Sequence, residues 1–141
     1  KLCQTYKIFM ILEDDVCFLD HALTFINKAL SQLPDNWDML YLGVNPQQKL
    51  TRYSENLFHV RESWTTHAMI FNNQNNIIDA ILDMAHKERK IDVLYARKIQ
   101  RYFRCFVTYP LAATQYNSIS NIVKGEVDYY HTIINGFKKH I

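Results

Sequence analysis

Five apolar residues, Ile8-Phe9-Met10-Ile11-Leu12, run straight into three carboxylates, Glu13-Asp14-Asp15. An apolar run of this length predicts a strand buried on both faces, as in the parallel sheet of an α/β fold. The carboxylates then fall at the C-terminal end of that strand, where open α/β sheets bind their ligands. Three adjacent acids repel one another, so the cluster must be solvated or neutralised by a cation. Hard divalent ions such as Mn²⁺ and Mg²⁺ favour oxygen ligands; Mg²⁺ typically takes one or two carboxylates and fills its shell with water and substrate phosphate. The plainer reading is an acidic loop without a ligand, and this stretch alone leaves both open.

The chain of 141 residues is long enough for one domain with a real core, and at 48% hydrophobic it is globular rather than disordered. A net charge of +2 gives no global field that would argue for nucleic acid or an acidic membrane surface. Three glycines and three prolines leave little room for long flexible linkers. Cys3, Cys17 and Cys105 lie far apart without zinc spacing, which reads as free, mostly buried thiols in a reducing compartment. No apolar stretch reaches the roughly 18 residues of a membrane span. The expected location is cytoplasmic or membrane-peripheral. Lys1 is not a methionine, which is compatible with a chain that begins inside a longer one.

Beyond the acids, Leu19, Leu23, Ile26, Leu30 and Leu33 mark one face of a helix over 18–33, with Asp20 as its N-cap. Asp38 to Gly43 reads as a short strand, Val44 to Asn56 as an exposed loop, and Leu57 to Val60 as a strand. Trp64 to Phe71 predicts another strand, and Ile77, Ile78, Ile81, Leu82 and Ala85 a helix. The basic run His86–Lys90 closes that helix as a solvated face. Asp92 is placed to cap a further helix, on which Arg97, Arg101 and Arg104 share a face: a solvated one, or a contact for phosphate or nucleic acid. Cys105 to Tyr109 reads as a strand stopped by Pro110, and Val127, Tyr130, Ile134 and Phe137 as a final helix.

Two families place acids at the end of such a strand. A response-regulator receiver domain matches Ile8 to Leu33, but it needs a phosphorylatable Asp at a later strand end, where this chain has Gly43. The second match is broader. Ile11-Leu12-Glu13-Asp14-Asp15-Val16, then Trp37-Asp38-Met39-Leu40-Tyr41-Leu42-Gly43, resembles glycosyltransferase family 25. That family includes bacterial lipooligosaccharide galactosyltransferases and procollagen galactosyltransferases. Thr66-His67-Ala68-Met69-Ile70, Ile91-Asp92, Tyr109-Pro110 and Gln115 through Ser118-Ile119 continue the resemblance across residues 6–122. Met69 stands where an aromatic is usual, and Asn72-Asn73 replaces a Ser and Gly region.

The resemblance implies an α/β GT-A-like (Rossmann-like) fold, a mixed sheet flanked by helices, in one glycosyltransferase-like domain over residues 1–141. Only seven residues precede Ile8, so the expected piece is the C-terminal part of a domain whose nucleotide-binding half is missing. Such a piece would expose apolar surface at Phe9 and Ile11, aggregate or self-associate, and transfer no sugar by itself. The implied activity is metal-dependent, inverting transfer of galactose or glucose from a UDP-sugar donor to a glycan or a hydroxylated protein or lipid acceptor. Asp15, with Glu13, would contact Mn²⁺ (or Mg²⁺). Glu13 and Asp14 would orient water, ribose or donor sugar. Asp92 is the candidate general base, unless it is only a helix cap. His67 is a candidate contact for the sugar or a phosphate, with a satisfied place in the core as its plainer role; Trp64 is a candidate sugar-stacking face, with the core as its commoner place. Gln115 and Ser118 are candidate acceptor or donor ligands. The competing expectation is a carbohydrate-binding or scaffolding protein without turnover.

Overall fold

The computed structural model describes residues 6–86, 88, 90–116, 118–120 and 125–141, with the side chains of 118–120 and 125–127 left aside. Cys3 and, within the basic run, Lys87 and Arg89 lie outside the described residues. The fold is mixed α/β, built on a six-stranded mixed sheet flanked by helices.

The sheet is assembled from β1 (Ile8–Leu12), β3 (Met39–Tyr41), β5 (Thr51–Arg52), β6 (Leu57–His59), β8 (Ala68–Asn72) and β9 (Cys105–Thr108). Their spatial order is β1-β8-β3-β9-β6-β5, and only β3 and β9 run parallel. Smaller two-stranded ladders join β2 (Val16–Phe18) to β10 (Ala113–Gln115), β4 (Asn45–Pro46) to β7 (Ser63–Trp64), and β11 (Ser118–Ser120) to β12 (Gly125–Val127).

Strand β3 lies in the interior of the sheet, and its side chains alternate between two cores. Met39 and Tyr41 join Met69, Phe71, Cys105 and Val107 on one face. That face is covered by α2 (Ile77–Ala85), by a segment running from α3 (Ile91–Leu94) through a π turn (Tyr95–Ile99) into α4 (Gln100–Tyr102), and by α5 (Tyr129–His140). Leu40 and Leu42 join Leu57, Ala68, Ile70 and Phe106 on the other, under α1 (Ala22–Leu30) and Trp37.

Several sequence expectations change. Strand β1 forms as expected but sits at the sheet edge, paired antiparallel to β8 alone, with Ile8, Met10, Ile11 and Leu12 exposed. Only Phe9 is half-buried, its ring stacked on Phe71 at 5.3 Å. An apolar run carries no information about which neighbours the topology supplies, so burial on both faces did not follow from it. The helix after the acids is shorter than 18–33, because Cys17 and Phe18 are drawn into the ladder with β10. Its buried face is Ala22, Ile26 and Ala29, the small alanines allowing close approach to the sheet, while Leu23 is 71% exposed. His21, at φ 61°, precedes the helix in place of the expected Asp20 cap. The expected loop Val44–Asn56 carries β4 and β5 and buries Val44 and Leu50. The strand expected from Trp64 to Phe71 is broken at Thr65 into β7 and β8. Lys90, not Asp92, is the N-cap residue of α3.

The π turn carries one buried polar device. Its wider winding shifts the phase of the residues that follow, and Gln100 enters the core. The Gln100 amide donates to the Tyr41 hydroxyl at 2.9 Å and to the Ser63 carbonyl at 2.8 Å, and accepts from the Ser63 N–H at 2.7 Å. Burial holds the Tyr41 phenol well above its usual pKa, so it stays a neutral acceptor. Gln100→Leu keeps the volume and orphans three buried polar groups at once. It is expected to lower unfolding free energy by about 3 kcal/mol, read from denaturant midpoints. A loss below about 1 kcal/mol would show that these groups find other partners.

Candidate functional site

The acidic turn is built by backbone pairing. Beyond Leu12, the Glu13 N–H donates to the His67 carbonyl at 2.8 Å, carrying the β1–β8 pairing one step further. The Val16 N–H returns to the Glu13 carbonyl at 3.4 Å, so Asp14 and Asp15 form the tip of a tight turn. Strand β2 then pairs with β10 so that Gln115 lies opposite Val16, and the Tyr116 N–H donates to the Asp15 carbonyl at 2.9 Å.

This register brings the Gln115 side chain back over the acids. Its Nε2 stands 3.2 and 3.0 Å from the two Asp15 carboxylate oxygens and 3.3 Å from Glu13 Oε2. The other Glu13 oxygen, Oε1, accepts from the Thr66 hydroxyl at 2.6 Å. Glu13, Asp15, Thr66 and Gln115 therefore form one network, with Asp14 exposed at its edge. Among the described residues no cation lies within 4.0 Å of either networked carboxylate. A neutral amide holds the two acids together without cancelling their charge.

Strand β10 is delivered to the turn by the end of β3. The Leu42 carbonyl accepts from the N–H groups of Ala112 and Ala113 at 2.8 and 2.9 Å and from the Thr108 hydroxyl at 3.3 Å. Gly43 permits this contact. A Cβ there would collide with the Ala113 carbonyl and stand 2.6 Å from His67 Nε2.

His67 is fully buried beside this crossing, and neither ring nitrogen has a hydrogen-bond partner. Burial lowers its pKa to about 4; the nearby Ala113 carbonyl and the Asp15 charge pull weakly the other way. The ring is therefore neutral at neutral pH, and it lies in the interior without the hydrogen-bond partners that a satisfied core histidine would have. Two residues earlier Thr65 takes φ 84°, a conformation costly for a β-branched residue, and its hydroxyl is buried without a partner. Thr114, on β10 between Ala113 and Gln115, has an unpartnered hydroxyl as well.

The remaining candidates fall elsewhere. Trp64 is not a core residue: it is 43% exposed on β7, opposite Asn45. Asp92 is half-buried in the first turn of α3, its carboxylate accepting from the Val93 N–H at 2.8 Å, and no described hydrogen bond ties it to the acidic turn. Ser118 begins β11, and its side chain lies outside the described residues. Arg97, Arg101 and Arg104 are exposed. The sequence pattern assigns Thr66 and Gly43 no part in the acidic network; their parts depend on pairing between distant segments, which local pattern does not carry.

Glu13 and Asp15 suit a hard divalent ion by their chemistry, as two oxygen donors converging without a cation beside them. Among the described residues no three His, Cys, Asp or Glu side chains converge as a metal cage. Any ion held here would take the rest of its shell from water and ligand oxygens. No helix of the described residues is long and apolar enough to cross a membrane. Compared with known proteins, the chain matches no family model, no curated protein and no solved structure.

The buried His67 ring gives a pH signature. Its folded pKa, about 4, lies below the ordinary 6.5, so as pH falls the unfolded chain takes up the proton first. The folded state keeps its full stability above pH 6.5 and loses it progressively down to about pH 4, by roughly 3 kcal/mol from this group. His67→Gln removes that titration. The difference in denaturant midpoint between wild type and variant should therefore shift across this window; a pH-independent difference would rule the assignment out.

Proposed function

We propose that this chain is a metal-dependent glycosyltransferase, transferring a hexose from a UDP-sugar to a glycan or hydroxylated acceptor with inversion, in keeping with its resemblance to glycosyltransferase family 25. The observation that carries this reading is the convergence of Glu13 and Asp15 on the Gln115 amide at the end of β1. Asp15, with Glu13, would hold Mn²⁺ or Mg²⁺. When bound, such an ion supplies positive charge to the diphosphate leaving group.

The chain's own residues do the rest. Thr66 fixes one Glu13 oxygen, which turns the other toward Gln115 and Asp15. Gln115 keeps the two carboxylates from moving apart. Asp14, exposed at the tip, is free to accept hydrogen bonds from ribose or sugar hydroxyls. The exposed Trp64 offers an aromatic face on which a sugar ring stacks. By the resemblance, Asp92 is the base that takes the acceptor proton.

One observation favours the second reading, a carbohydrate-binding protein without turnover. The Asp92 carboxylate is engaged with its own helix at Val93, and no described hydrogen bond brings it to the acids. The two readings separate by experiment. Mn²⁺ is expected to bind wild type, more tightly with UDP present, and Asp15→Asn should weaken that binding by about tenfold or more, read by calorimetric titration. Equal affinities would remove the metal assignment. Hydrolysis of a nucleotide-sugar panel with Mn²⁺ then tests turnover. If turnover is found, Asp92→Asn should lower kcat sharply while donor binding stays near wild type. Unchanged kcat would leave Asp92 as a structural residue of its helix.

A further inference from the structure

A second site, sharing no residue with the acidic turn, lies among the basic side chains. Two adjoining hollows have Gln48 and Arg61 in common. One, of about 350 Å³, is completed by Glu62 and Arg101. The other, of about 430 Å³, is completed by Lys49, Thr51 and His59. Three basic side chains, Lys49, Arg61 and Arg101, line the hollows together with one carboxylate, Glu62. Among the described residues none of the three forms an ion pair within 4.0 Å, Glu62 included.

The frame beneath these cations is fixed. The Gln48 amide donates to the Arg61 carbonyl at 3.2 Å, and the Gln47 N–H to the Glu62 carbonyl at 3.0 Å. Glu62 holds a left-handed backbone at φ 54°, which sharpens the turn after Arg61. One residue before Arg61, the Val60 N–H donates to the Cys105 carbonyl at 2.9 Å, tying the segment to β9. The His59 ring rests on Phe106 with centroids 4.7 Å apart. Burial, and then the charges of Arg61 and Arg104, hold His59 below its ordinary pKa, so it presents a neutral ring rather than a further cation.

We propose that this double hollow binds a diphosphate group, with Arg61 shared between its two phosphoryl moieties, Arg101 serving one and Lys49 the other. Each hollow is several times larger than a phosphoryl group, so the diphosphate would sit where the two meet, at the shared Arg61, within reach of Arg101 on one side and Lys49 on the other. Guanidinium forks bind phosphate oxygens in pairs, and a multiply charged anion relieves the repulsion among cations that lack counter-ions. A merely solvated basic face would instead show weak attraction without saturation.

The test uses inorganic pyrophosphate and adenosine diphosphate as separate probes, in metal-free buffer at moderate salt. Binding is followed by calorimetry and by the His59 ring resonances. Saturable one-to-one pyrophosphate binding is expected, weakened about tenfold in Arg61→Gln and unchanged in Asp15→Asn. Thermal melting confirms that the exposed Arg61 can be replaced without unfolding, and Arg101→Gln repeats the test from the other side. Equal affinity for the two probes assigns the site to free diphosphate, and tighter adenosine diphosphate binding to a nucleotide-borne one. Absence of saturation, or the same affinity in wild type and both arginine variants, overturns the proposal. Because Asp15→Asn leaves this binding intact, failure here and failure of the transferase reading are distinguishable.

Discussion

One backbone carbonyl organises the end of the molecule that carries the acidic turn. Leu42, just past the end of β3, accepts two N–H groups and a hydroxyl from the segment between Thr108 and Ala113. That clasp holds the chain after β9 across the end of β3. From there β10 pairs with the strand that leaves the acidic turn, and Gln115 arrives above Asp15. Gly43 is part of the same constraint, because a side chain there would push out either the Ala113 carbonyl or the His67 ring. The β10 side of the acidic turn is therefore positioned through β3, a strand that contributes none of the acids.

The opposite end of β3 is secured differently. Asp38 is buried, its carboxylate accepting from the Arg104 N–H at 2.7 Å and the Asn75 amide at 2.8 Å. It ties the entry of β9 and the polar turn after β8 to the start of β3. With the register thus held at both ends, Met39 and Tyr41 must face one core and Leu40 and Leu42 the other. The Gln100 network locks the first of those cores to β7, so the two-residue β4–β7 ladder is anchored well beyond its own hydrogen bonds.

Much of this was legible in the sequence where the signal is local. The strand ahead of the acids, the strand before Gly43, the helix from Ile77 and the stop at Pro110 all follow from apolar runs and turn residues. What was not legible depends on partners. The edge position of β1 is set by topology, not by Ile8 to Leu12. The helical face at Ala22, Ile26 and Ala29 lost to the larger leucines in the pattern, because closeness of packing favours small residues that hydropathy undervalues. The acidic cluster stood out at once, yet its partners Thr66 and Gln115 lie 53 and 102 residues from Glu13 along the chain. Only the β1–β8 and β2–β10 registers make them neighbours.

Thr65 separates two rigid pieces by a single strained residue. On one side Trp64 is pinned by the β4–β7 ladder; on the other Thr66 and His67 are pinned to the acidic turn. The exposed indole and the carboxylates are thus joined along the chain through one strained residue, and across the fold through the Gln100 tie that anchors β7. A chain that drifted to glycine at this position would keep every ladder and both cores. Because the Gln100 tie still fixes β7 to the core, the aromatic face and the acids would stay in register, and only the stiffness of the short link between them would be lost.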